Sequence, residues 1–163
     1  MIELILIMET RSSNKSDYMY IKSTLDYYYE PRTYGIKKIF ATTKSLLIKQ
    51  DKKIEKLCNT TERKPVIIVI ADYDQDEPLN DIITKYCLNK SYDLIWMNSD
   101  VEEVYLGEKI KRKDKEKKAI AFQIKKNKLI PKLNNLSETN PLNKSKSSNI
   151  LTILDKYLTR KSA

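Results

Sequence analysis

Pro65-Val-Ile-Ile-Val-Ile-Ala-Asp72-Tyr-Asp74-Gln-Asp76-Glu77 runs an unbroken apolar stretch straight into clustered acid. Residues 66–71 are short and rich in β-branched side chains, which predicts a strand rather than a helix. Hydrophobicity that does not alternate means that both faces are covered, as in a parallel sheet between helices. If the chain stays extended past the strand, Asp72 and Asp74 point to the same side about 7 Å apart and can share a divalent ion or its waters. The same acids also suit a solvated βα turn, with an Asp capping a helix that begins near Pro78.

Working outward, residues 2–8 (Ile-Glu-Leu-Ile-Leu-Ile-Met) form a second apolar run that ends at Glu9. Residues 10–15 are polar and loop-like. Ser16 or Asp17 can then cap a helix carrying Tyr18, Ile21, Leu25 and Tyr28 at three- and four-residue spacing, which Pro31 closes. Tyrosines 18, 20, 27, 28 and 29 read as core and rim of that helix, with base stacking as the functional alternative. Gly35 turns the chain into a strand over 36–42. Leu47, Ile54, Leu57 and Cys58 mark a helical stripe, and Leu79, Ile82, Ile83, Tyr86 and Cys87 mark another. A further strand covers 92–97. The order β-α-β-α-β-α-β predicts a parallel, doubly wound, Rossmann-like sheet flanked by helices.

Ligands of such sheets sit at the carboxyl ends of the strands. Glu9, Asp72 and Asp74 all fall there, and with strands one and three adjacent, about 4.8 Å apart, the three carboxylates converge on one ion. Beyond Asn98, Ser99 or Asp100 caps a short helix bearing Glu102 and Glu103. Residues 109–128 carry ten Lys/Arg against two acids, nearly the whole excess of a chain whose net charge is +9. Lys111, Arg112, Lys113, Lys115, Lys117 and Lys118 lead this segment. It reads either as a solvated lysine face or as an arm that contacts nucleic-acid phosphates. Residues 134–146 are polar and predict a loop, partly disordered. Ser147 or Ser148 then caps a closing helix over 147–159. The organisation expected is a core over 1–107, followed by a basic segment and a helical C-terminal extension over 108–163.

Composition excludes several chemistries. Two glycines, Gly35 and Gly107, are too few for a Walker loop or a Gly-x-Gly-x-x-Gly turn. The absence of histidine removes a Ser-His-Asp triad, a Cys-His pair and a His-ligated zinc site. Cys58 and Cys87, without Cys-x-x-Cys spacing, read as buried free thiols. An all-oxygen carboxylate set favours Mg²⁺ or Mn²⁺ over zinc. No signal peptide and no membrane-length apolar run are visible, so the expected location is cytoplasmic, without a membrane partner.

An apolar strand ending in Glu, a helix, and a later apolar strand ending in Asp-x-Asp resemble a Toprim domain. The chain is more specifically similar to its RloB-like branch, related to the abortive-infection protein AbiLii. Residues 98–106 resemble that branch's Ser-Asn-Pro-x-Phe-Glu-x-Trp-Leu segment, with Glu103 at the motif glutamate. Asn140-Pro141 before a terminal apolar helix resembles its Asn-Pro-x-Thr ending. Thr10 stands where Toprim chains usually carry Gly, Ser99-Asp100 where the branch has Asn-Pro, and Glu102 in place of its Phe. The resemblance implies a metal-dependent nuclease acting on DNA or RNA in bacterial or phage-borne defence. Asp72 and Asp74 would hold Mg²⁺ or Mn²⁺, with Glu9 completing the coordination or acting as general acid/base. Glu103 or Asp76 would serve a second ion. It also implies a separate ATPase partner. The competing expectations are a Toprim-like module that binds nucleic acid or protein without catalysis, and, less well matched, a receiver-like phosphoacceptor domain.

Overall fold

The computed structural model describes residues 1–9 and 15–162. Thr10 and the loop expected after it lie outside the described residues, except for Lys15. Four strands, β1 (Ile2–Glu9), β2 (Tyr34–Ala41), β3 (Lys64–Tyr73) and β4 (Asp93–Asn98), run parallel. The two-residue strand β5 (Ser147–Ser148) joins antiparallel to β4, giving the order β2-β1-β3-β4-β5. Each parallel crossover carries a helix: α1 (Ser16–Tyr28), α2 (Asp51–Thr60) and α3 (Glu77–Lys90). The fold is therefore α/β and Rossmann-like, with β1 and β3 side by side.

Two hydrophobic layers account for the continuous strand patterns. Leu4, Leu6, Met8, Ile68 and Ile70 meet α1 together with α4 (Val101–Leu106), α5 (Lys115–Ile124) and α7 (Ile150–Leu154). Ile5, Ile7, Val69 and Ala71 meet α2 and α3 on the other face. Because the strands alternate between two apolar layers, both parities must be hydrophobic. Cys87 lies buried in the second layer and Cys58 packs half-buried against it.

Several local expectations shift. Lys15 occupies the position before α1, and no side chain caps the helix there. Gly35 does not turn the chain but lies within β2. A Cβ there would stand 1.9 Å from Arg63 Nη1 and 2.1 Å from Glu3 Oε2, so the glycine makes room for the 3.1 Å ion pair between those two side chains. Leu47 belongs to a 3-10 turn, Lys44–Ile48, that precedes α2. Residues 134–146 are an ordered wrap: Leu136 is buried, and Asn135 Nδ2 donates to the Val104 carbonyl at 2.8 Å.

The closing helix is shorter than its apolar spacing predicts. Ser147 and Ser148 are fully buried and pair with Asn98 and Met97. The Asn149 side chain continues that edge, accepting from Trp96 N at 2.9 Å and donating to the Leu94 carbonyl at 3.1 Å. Serine hydroxyls that suit a helix cap suit a buried sheet edge equally well, since both supply short-range partners for main-chain groups. The segment 109–128 folds into α5 and α6 (Lys126–Leu129) after a 3-10 turn, Arg112–Asp114, with α5 lying against α1 through Ala119 and Phe122. Among the described residues no helix is long and apolar enough to cross a membrane.

Candidate metal centre

The carboxyl ends of β1, β3 and β4 open on a small cleft of ≈ 10 Å³, the room of a single water-sized body. Its lining is apolar at Met8, Ile21, Ile70, Met97 and Val101, and acidic at Glu9, Asp17 and Asp72. Glu9 ends β1, and Asp72 lies beside Met97 near the end of β3. Asp17 enters from the first turn of α1, a site residue that the strand-end acids do not announce. Its signal was an acid in the first turn after β1, at the edge of the sheet where ligands gather.

The cleft is electrostatically strained by its own acids. Burial, then Asp17, Asp100, Glu9 and Glu102, push the Asp72 carboxyl well above its ordinary value. Burial and Glu102, with Glu9 and Asp100 adding, raise Asp17 to about 7, against the opposing pull of Lys115. Glu102 is 1% exposed. Lys115 Nζ lies 2.9 Å from its Oε1 and forms an ion pair with it. Burial works against the Lys115 ammonium, but Glu102, Asp17 and Asp100 outweigh it and hold its pKa above the usual lysine value. The fully buried Tyr20 hydroxyl, without a hydrogen-bond partner among the described residues, is raised by burial and by Glu102, Asp17 and Asp100.

Asp74 takes another direction. β3 ends at Tyr73, so the extended spacing that would align Asp74 with Asp72 is lost. Lys44, buried at 8% exposure, donates to Asp74 Oδ1 at 2.8 Å and also to Asn80 Oδ1. Asp76 N donates to the same Asp74 oxygen at 2.9 Å. Burial acts to raise the Asp74 carboxyl, but Lys44 and that amide hold it below its ordinary value. Asp74 thus ties β3 to α3 on the face of the sheet that α2 and α3 cover. Asp76 caps α3, accepting from Leu79 N at 3.2 Å. Asp76→Ala is expected to cost about 1 kcal/mol, lowering the melting temperature by about 2–4 °C, with divalent-ion affinity by calorimetry unchanged. Glu103 accepts from Ser99 Oγ, and its amide donates to Asp100 Oδ1 at 2.9 Å, so this pair closes the start of α4.

The charged residues lining the cleft among the described residues are all carboxylates, a donor type that fits a hard divalent cation. Among the described residues no three Asp, Glu or Cys side chains are grouped so as to hold a metal ion. Lys111, Arg112, Lys113, Lys117 and Lys118 are exposed, while Lys115 is turned inward to Glu102. No family model, no curated protein and no solved structure matches the chain.

Proposed function

We propose that the chain is a Toprim-like, Mg²⁺- or Mn²⁺-dependent nuclease of the cytoplasm, cleaving phosphodiester bonds of DNA or RNA. The observation that carries this reading is the convergence of Glu9, Asp17 and Asp72 in one cleft at the carboxyl ends of β1 and β3. Among the described residues, Lys115 opposes the acids that raise Asp17. A divalent ion held there would add positive charge among these acids and would supply Lewis-acid polarisation of a phosphoryl oxygen. Glu9 and Asp72 would hold that ion, and Asp17 would add a third carboxylate to it or to its waters. The exposed lysines of the segment before and along α5 attract the polyanion. The resemblance to the RloB-like branch places this activity in phage defence, beside a partner ATPase.

Calorimetric titration with Mg²⁺ and Mn²⁺, paired with nicking of plasmid and degradation of total RNA, tests the reading. Glu9→Gln and Asp72→Asn are each expected to weaken ion binding by about 100-fold or more, with cleavage falling in step. A folded wild-type chain that binds neither ion overturns it. One observation favours a second reading, an interaction module without catalysis: Asp74, the second acid of the Asp-x-Asp pair, is already taken by Lys44. Nucleic-acid binding with neither ion binding nor cleavage is its signature.

A further inference from the structure

Beside the acidic cleft, on the outer strand, lies a second cluster that ion binding does not use. Tyr18 of α1 and Phe40 of β2 meet edge to face, with ring centroids 6.5 Å apart at 84°. Lys38 Nζ stands 4.5 Å from the Tyr18 ring centre, and Lys15 Nζ stands 5.1 Å from that of Phe40. Both rings are half-buried and both lysines exposed. β2 is the outermost strand of the sheet, and both rings pack partly against the apolar layer beneath α1.

The cluster adjoins the cleft through the chain itself. Phe40 is registered against Met8, and Tyr18 follows Asp17, both of which line the cleft. We propose that Tyr18 and Phe40, flanked by Lys15 and Lys38, form a stacking subsite for an unpaired nucleobase, so that the chain acts on single-stranded nucleic acid. This deepens the nuclease reading and rests on it for the fate of the bound strand.

The chemistry follows from the relative strengths of the contacts. A solvent-exposed lysine over a half-buried ring is a weak interaction, whereas a base stacked on the same ring is a stronger one. A base therefore displaces the ammonium from the ring face, and the freed cation meets the adjoining phosphate. In a duplex the base faces are already stacked on their neighbours, so the subsite selects unpaired strands. The phosphate next to the stacked base is thereby brought beside Glu9, Asp17 and Asp72.

The test is fluorescence anisotropy in EDTA with labelled oligothymidine, oligouridine and a blunt duplex of equal length. Tyr18→Leu and Phe40→Leu, which keep apolar volume but remove the ring, should each weaken single-strand binding about tenfold and leave duplex binding unchanged. Lys15→Gln and Lys38→Gln, both at exposed positions, should each lower the salt dependence by about one charge. A fluorescent adenine analogue within the oligonucleotide should be quenched by the wild-type protein, a readout that needs no variant to fold. Unchanged affinity in folded Leu variants, absence of quenching, or preference for the duplex overturns the subsite. Because no divalent ion is present, the two readings fail separately. Ring variants that bind normally remove the subsite and leave the nuclease, while quenching by a protein that never cleaves with Mg²⁺ keeps the subsite and removes the nuclease.

Discussion

Asp72→Asn will melt higher than the wild-type chain at pH 8 without divalent ions, and Mg²⁺ will no longer raise its melting temperature. The folded protein holds the Asp72 proton more tightly than the unfolded chain does, because burial and four neighbouring acids disfavour the carboxylate. Stability therefore falls as pH rises from about 4, the ordinary carboxylate value, through the raised folded value. Asp17, at about 7, behaves in the same sense, so the metal-free protein should be more stable near pH 5.5 than at pH 8. An uncharged amide in place of Asp72 escapes this penalty. A gain of about 1–2 kcal/mol is the usual scale for removing such strain from a functional site. For a chain of this length that is about 2–8 °C. In the wild type, Mg²⁺ at 100 times its Kd should contribute about 2.7 kcal/mol, and Asp72→Asn should lose nearly all of that. A variant that melts at or below wild type at pH 8 sinks the argument that the cleft is strained by its acids.

The sheet was legible because its signal is redundant. Residues 2–8 and 66–71 are apolar at both parities, and only a strand covered on two faces needs that pattern. Helices between strands then dictate parallel pairing, and the adjacency of β1 and β3 carries Glu9 and Asp72 to one end of the sheet. Asp74 was harder to read. Its direction depends on where β3 stops, and on Lys44, thirty residues earlier and attached to no motif. Asp17 was obscured for a related reason: an acid in a first helical turn suits a helix terminus wherever it occurs, and only the packing of α1 over the strand ends turns it inward. The serine pair at 147–148 carried two compatible local readings, and pairing with β4, a contact fifty residues distant, decided between them.

The basic segment divides in a way that charge counting does not reveal. Lys111, Arg112, Lys113, Lys117 and Lys118 face solvent, where long cationic side chains are free to meet a polyanion. Lys115 sits among them in sequence but belongs to the cleft in space, because the packing of α5 on α1 sets it against Glu102. One helix thus serves both the electrostatic surface and the support of the acidic centre.

Lys115→Met will be the most damaging change in that segment. Glu102, 1% exposed, loses the ammonium 2.9 Å away and is left as an uncompensated buried charge. Breaking a fully buried pair costs about 3–5 kcal/mol. Because the Lys115 side chain is 36% exposed, solvent already screens part of the interaction, and about 2–3 kcal/mol is expected. That is a fall of about 4–12 °C in melting temperature. Lys115 also pulls down the Asp17 carboxyl, so its loss drives Asp17 above its present value near 7 and adds to the cost at pH 8. Near pH 5 Asp17 is protonated with or without Lys115, and that part of the loss vanishes. The damage should therefore be greater at pH 8 than at pH 5, and Glu102→Gln added to Lys115→Met should recover most of it, as a double-mutant cycle measures directly. Nucleic-acid binding gives the complementary readout. Lys117→Gln and Lys118→Gln should each lower the salt dependence of binding by about one charge, whereas Lys115→Met should leave it unchanged, because its charge is already committed to Glu102. A Lys115 variant of wild-type stability with a reduced salt dependence would reverse the assignment and return this lysine to the phosphate-contacting surface.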